Sequence, residues 1–187
     1  MRPAIWILFT VTALAQWAVP LREAWVLEDV AAHGDVFRFD CQAPDPSDLL
    51  RGRYLAITLK DNGAPPDPGF KPGSEEEVFA RLGVDKEGFA YFSGVGAQPP
   101  ASGPYLRAKT AKWWPFNDKR VVLQPPFDRF YLNEQLAPQA DEWFSKAVRD
   151  STKKIWVEVR VKNGLAVVTD LKQDGRSFRD ILRSASP

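Results

Sequence analysis

Residues 154–170 read KIWVEVRVKNGLAVVTD. Ile155, Val157, Val159 and Val161 alternate with Trp156, Glu158, Arg160 and Lys162, the period of two that marks a strand with one buried face. A second run rich in β-branched residues follows from Leu165. Between them stands Asn163-Gly164, the strongest short-range hairpin signal, because the tight turn that matches strand twist needs positive φ at both central positions. The segment is therefore an antiparallel hairpin, and it sets the class of the fold.

Working outward, several other stretches have strand character. Val36–Ala43 (VFRFDCQA) alternates in part, and Arg51–Lys60 (RGRYLAITLK) reads as one strand with Tyr54, Ala56 and Thr58 on one face and Leu55, Ile57 and Leu59 on the other. Phe89–Val95 (FAYFSGV) is aromatic and follows Asp85-Lys86-Glu87-Gly88, so it pairs naturally with Val78–Leu82. Ser74 ahead of Glu75, Glu76 and Glu77 also resembles a helix start, and both readings stay open. Tyr105–Trp113 and Arg120–Leu123 complete the strand candidates. Residues 43–47 (APDPS) are a turn, residues 62–73 (NGAPPDPGFKPG) an exposed loop, and Gly96–Pro104 another connection. Asn133–Val148 places Leu136, Ala140, Trp143, Phe144 and Ala147 at helical spacing, with Pro138 delaying the first regular turn. The expected body is mostly β (α+β): an antiparallel β-rich domain of about seven to eight strands with one packed helix.

Ala4 to Leu21 (AIWILFTVTALAQWAVPL) has 18 residues and no charge. Crossing the hydrocarbon layer takes about 20 mostly apolar residues, within a range of about 17–25. Trp17 suits the membrane interface, and Arg22 and Glu23 close the run. The reading is an N-terminal transmembrane helix in contact with the lipid bilayer through residues 4–21. Ala13-Leu14-Ala15 has the small-x-small pattern of a signal cleavage site, but the run continues past it. Glu23–Ala32 extends the helix beyond the membrane until Gly34 ends it. The expected division is an anchor with its juxtamembrane helix over residues 1–32 and an extracytoplasmic domain over residues 33–187.

Composition narrows the function. The 187 residues carry 25 Lys+Arg against 24 Asp+Glu, which argues against a nucleic-acid partner. Met1–Leu21 holds a single charged residue, Arg2, so the remainder is formally neutral with 24 of each sign. Arg2 lies on the side of the span where positive charge sets orientation. One cysteine, Cys41, excludes an intrachain disulfide, and one histidine, His33, excludes a His-rich metal centre. Neither has the sequence context of a nucleophile or base. Gly94-Val95-Gly96 leads into Gln98-Pro99-Pro100 rather than a helix, so it lacks the setting of a phosphate cradle. Lys109, Lys112, Lys119 and Arg120 with Trp113 and Trp114 form one basic, aromatic patch. No catalytic residue, metal or cofactor is assigned.

Two segments concentrate polar chemistry. Asp45-Pro46-Ser47-Asp48-Leu49-Leu50-Arg51-Gly52-Arg53-Tyr54 combines short carboxylates with arginine at a strand entry. Phe127-Asp128-Arg129-Phe130-Tyr131-Leu132-Asn133-Glu134 joins an aromatic strand to a helix start. Asp45, Asp48, Arg51, Tyr54, Arg129, Tyr131 and Glu134 are the candidates either for arginine–carboxylate pairs that pin two connections or for a polar cleft where the segments meet.

With the apolar N-terminus, these segments resemble the GDYxxLxY family of bacterial membrane-anchored proteins. Asp45, Pro46, Asp48, Arg51, Gly52 and Tyr54 match the first family run, whereas Arg53 stands in place of its aspartate, Ile57 in place of its leucine and Leu59 in place of its last tyrosine. Arg129, Phe130, Tyr131 and Glu134 match the second. The resemblance implies a single-pass protein of the bacterial inner membrane with its C-terminal domain facing the periplasm, and it adds no reaction. The expected role is that of an accessory or structural protein with a membrane-protein partner. The alternative is an envelope hydrolase or ligand-binding protein acting on cell-wall or lipid substrates through Asp45, Asp48, Arg51 and Glu134.

Overall fold

The computed structural model describes residues 3–42, 54–112, 119–131 and 153–184, with backbone alone at residues 3–5, 7, 8, 54–56, 131 and 182. The helix predicted over residues 133–148, the turn at residues 43–47 and both tryptophans of the basic patch lie outside them.

Helix α1 (Pro3–His33) runs for 31 residues and passes through Pro20, which costs one backbone hydrogen bond but sits among good helix formers. Trp6, Phe9, Leu14, Trp17, Leu21 and Trp25 are each at least 60% exposed. Among the described residues, no helix is long and apolar enough to cross a membrane. Among the described residues, the C-terminal turns of α1 meet the domain. Val30 is buried there, and the Gly34 N–H donates to the Val30 carbonyl at 2.8 Å.

One residue later the chain enters β1 (Asp35–Gln42). It pairs antiparallel with β10 (Ile155–Lys162), which pairs with β11 (Leu165–Gln173) across the expected turn. Asn163 and Gly164 both have positive φ, 53° and 80°, as that turn demands. With β3 (Thr58–Leu59) and β12 (Arg176–Ser177) these form a five-stranded sheet ordered β12-β11-β10-β1-β3. A second five-stranded sheet, β4-β8-β7-β5-β6, comprises β4 (Gly63–Ala64), β5 (Glu77–Val84), β6 (Ala90–Gly96), β7 (Tyr105–Thr110) and β8 (Val121–Gln124). A two-stranded pair, β2 (Tyr54–Ala56) with β9 (Arg129–Tyr131), and helix α2 (Phe178–Ser184) complete the described elements.

One apolar core joins the two larger sheets. Ile155, Val157, Val159 and Val161 fill it from β10, as the alternation predicts. The Phe39 ring lies 5.6 Å from Phe92 and 5.2 Å from Phe127, centroid to centroid. Burying such side chains contributes roughly 1.5–3 kcal/mol each. The sheets also touch through backbone: the Arg107 N–H donates to the Gly164 carbonyl at 2.9 Å.

Both long hairpins carry a bulge of the same design. Ser93 is the extra residue opposite Arg81 and Leu82, and Thr169 the extra residue opposite Glu158 and Val159. Each hydroxyl donates to the carbonyl across the ladder, Ser93 to Arg81 at 3.3 Å and Thr169 to Glu158 at 3.1 Å. Bulges add local twist, and the hydroxyl supplies a partner where the ladder skips.

Two sequence expectations are corrected and one open reading is resolved. Arg51–Lys60 is not one strand: β2 pairs with β9 and β3 pairs with β1, and the chain changes partners at Ile57, whose N–H donates to the Asp128 carbonyl at 2.8 Å. Residues 62–73 are not simply an exposed loop. Gly63 and Ala64 are buried and pair with β8, while Pro66 bridges Val95 in β6. This short segment thereby ties both edges of the second sheet together, a tertiary arrangement that hides behind its Pro/Gly composition. Glu75–Leu82 resolves as strand from Glu77, since its alternate residues Val78, Ala80 and Leu82 supply core contacts. The described residues hold more strands than expected because the extra ones are two or three residues long.

Gly164 has no room for a side chain: an added Cβ would stand 2.6 Å from Tyr105 Cε2. Gly164→Ala therefore combines a left-handed penalty of roughly 1–2 kcal/mol with overpacking of roughly 1–3 kcal/mol. A loss of about 2–5 kcal/mol in urea unfolding is expected.

Candidate functional site

The two motif segments meet as strands. Tyr54 pairs with Tyr131, Leu55 with Phe130 and Ala56 with Arg129, all antiparallel. Of the predicted site residues, Tyr54, Tyr131 and Arg129 are thus brought together. Asp45, Asp48, Arg51 and Glu134 lie outside the described residues. β9 turns its Phe130 side chain into the core, 2% exposed and 6.2 Å from the Phe178 ring. This anchors the motif strand against α2 and leaves Arg129 on the exposed face, where its Nε approaches Asp128 Oδ1 at 3.5 Å.

Beside β9 opens a groove of about 340 Å³, walled by Leu27 of α1, Pro126–Phe130, Ala166–Val168 of β11 and Arg179 of α2. The Arg179 guanidinium lies 5.3 Å from the centre of the Phe130 ring. Its side-chain polar groups are Asp128 and two arginines, and the rest of the lining is apolar. A second groove of about 240 Å³ runs on the other side of Asp128, past Ile57, Leu59 and Leu123 to Lys112.

The helix attachment forms a separate polar cluster. Asp29 accepts from Lys162 Nζ at 2.7 Å and meets His33 Nδ1 at 3.0 Å. The Lys162 hydrogen bond holds the Asp29 carboxyl below the usual range. Arg160 Nη1 donates to the Ala32 and Gly34 carbonyls at 3.2 and 3.1 Å. Those carbonyls lie at the helix C-terminus, where acceptors lack helical partners and the dipole favours a cation.

Sequence reasoning missed the pair Asp67–Arg81. Arg81 holds both oxygens of Asp67 through its two terminal nitrogens, one at 2.9 Å. The pair lies across β6, where a Cβ on Gly94 or Gly96 would strike Arg81 or Asp67. The Gly-x-Gly is thus a platform for an ion pair, and the available signal was its position inside a strand. Arg81's hydrogen bonds hold the Asp67 carboxyl low.

The basic patch is partly spent inside the fold. Arg120 Nη2 donates to both Asp61 oxygens and to the Gly63 carbonyl at 2.7 Å. Burial raises the Asp61 carboxyl, but the Arg120 hydrogen bond, the Gly63 N–H and the charge of Arg120 together outweigh it, and the net shift is downward. Cys41 is no nucleophile: burial pushes its thiol up to about 12, and Sγ donates to the Phe39 carbonyl at 3.4 Å. Among the described residues, no cluster of His, Cys, Asp and Glu is arranged to hold a metal ion.

A β-rich domain with paired motif strands and a leading apolar helix defines the class. The chain belongs to the GDYXXLXY protein family, which it matches over residues 16–171. Neither the curated proteins nor the solved structures hold a match to it.

Directly opposed residues of antiparallel strands have Cα atoms about 4.5–5.5 Å apart, within disulfide reach. Tyr54→Cys with Tyr131→Cys, in a Cys41→Ala background, is expected to form an intrachain disulfide on mild oxidation. It is read as a mobility shift reversed by reductant, and absence of the shift would refute the pairing.

A depressed carboxyl stabilises the fold at pH above the unfolded value and loses that contribution as pH falls through its own lowered value. Side-chain exposures of 35% for Asp67 and 37% for Arg81 leave the pair screened, so it contributes below about 1 kcal/mol. Asp67→Asn should flatten the acid limb of stability by that amount. Gly94→Ala should displace the Arg81 guanidinium and return Asp67 to the ordinary carboxylate range in an NMR titration. An unchanged Asp67 would show that the glycine is not what admits the pair.

Proposed function

We propose that this protein is a single-pass membrane protein whose β-rich domain faces the periplasm from the bacterial inner membrane and works by association, as an accessory or structural partner of other membrane proteins. The observation that carries the reading is α1. Its run from Ala4 to Leu21 carries no charge, and 18 residues fall within the length range of about 17–25 for a span, although no helix among the described residues meets the combined length and apolarity of one. Among the described side chains, Trp6, Phe9, Val11, Leu14, Trp17, Val19 and Leu21 are all exposed rather than packed into the domain. An amphipathic helix of a soluble fold would bury one stripe and expose polar groups on the other. Apolar surface on this scale marks a membrane or protein contact. The last turns are fastened to the sheet by Asp29–Lys162 and by Arg160, so the domain is held at a set angle to the helix. The family membership favours the same architecture. Arg2 ahead of the run and balanced charge beyond it favour a cytoplasmic N-terminus.

Alkaline carbonate washing of membranes expressing the full chain tests this. The protein is expected in the pellet, with an intact mass that retains the segment before Gln16, and its domain should be cut by protease added from the periplasmic side. Release into the carbonate supernatant, or a mature chain beginning at Gln16, would overturn the anchor.

A further inference from the structure

We propose that the groove between α1, β9, β11 and α2 binds the phosphate headgroup of an anionic phospholipid from the leaflet that α1 leaves. The proposal rests on the anchor reading above and adds a ligand to the base of the domain. Its first support is position. Leu27, one wall of the groove, lies six residues beyond Leu21, where the apolar run ends. At 1.5 Å per residue that is about 9 Å along the helix, close to the depth of one headgroup layer outside the hydrocarbon core. Because the helix end is clamped to β10 by Lys162 and Arg160, the groove stays at this height.

The second support is chemistry. Arg129 and Arg179 line the groove with an apolar floor at Phe130 and Val167 beside the Leu27 wall. Guanidinium groups take phosphate oxygens through paired hydrogen bonds, while the floor matches the glycerol and first methylenes of a lipid. Arg179 is exposed and rests on the Phe130 ring, so it is held over the opening. Asp128 is the opposing element: it lines the groove and approaches Arg129 at 3.5 Å, so it competes with an incoming phosphate.

The test uses the full chain in mixed nanodiscs of phosphatidylglycerol and phosphatidylcholine, released for native mass spectrometry, with retained lipids counted. Wild type is expected to keep phosphatidylglycerol in preference to phosphatidylcholine. Arg129→Gln with Arg179→Gln should lower that retention about tenfold or more, the scale of losing one charge-assisted contact. Val167→Glu, which adds a carboxylate without emptying the core, should do the same, and Asp128→Asn should raise retention. Unfolding of the double variant, checked by its melting curve, leaves Val167→Glu and Asp128→Asn to decide. Equal retention of the two lipids by wild type, or unchanged retention in the folded variants, would overturn the groove while leaving the anchor standing. A chain released by carbonate overturns the anchor and the groove together.

Discussion

The hydrogen bond from Arg107 to the carbonyl of Gly164 joins the tip of one sheet's hairpin to a strand of the other. Only glycine fits beneath Tyr105 at that point, and the turn itself requires positive φ. One residue therefore satisfies a local constraint and a long-range one. The core aromatics Phe39, Phe92 and Phe127 meet where they do because the two sheets are held in this register. The second sheet is tied edge to edge by residues 63–67, which pair with β8 and bridge to Val95 of β6.

The same hairpin carries the helix. Its buried positions, Val157, Val159 and Val161, face the core, while Arg160 and Lys162 on the opposite face reach back to the carbonyls and the Asp29 carboxylate at the end of α1. A strand whose two faces have different duties links the apolar helix to the domain with only Gly34 between α1 and β1. The attachment sets the angle between α1 and the domain.

The family motif has a structural meaning independent of any reaction. Its tyrosine, Tyr54, opens a strand that pairs with the second motif, and Tyr131 stands opposite it. Phe130 buries its ring between the sheets and α2. The two segments together form a third small sheet, and the groove lies beside it. Arg53, where the family has aspartate, falls outside the described residues.

The periodicities of 154–170, the Asn163-Gly164 turn and the helix stop at Gly34 were legible because each depends on neighbours in sequence: side-chain alternation, positive φ and a capping hydrogen bond. The apolar run of α1 was legible for the same reason. The change of partners at Ile57, the pairing of Gly63 and Ala64, and the Asp67–Arg81 pair over Gly94 were not, because each depends on a strand or side chain supplied from elsewhere in the chain. The grouping of Tyr54 with Tyr131 was suggested by the motif, but their register came from the ladder. Sequence alone determined an apolar leader and an antiparallel β body. Tertiary structure decided which strand edges meet, which charges are spent on each other and where a groove remains, because those follow from contacts between residues far apart in the chain.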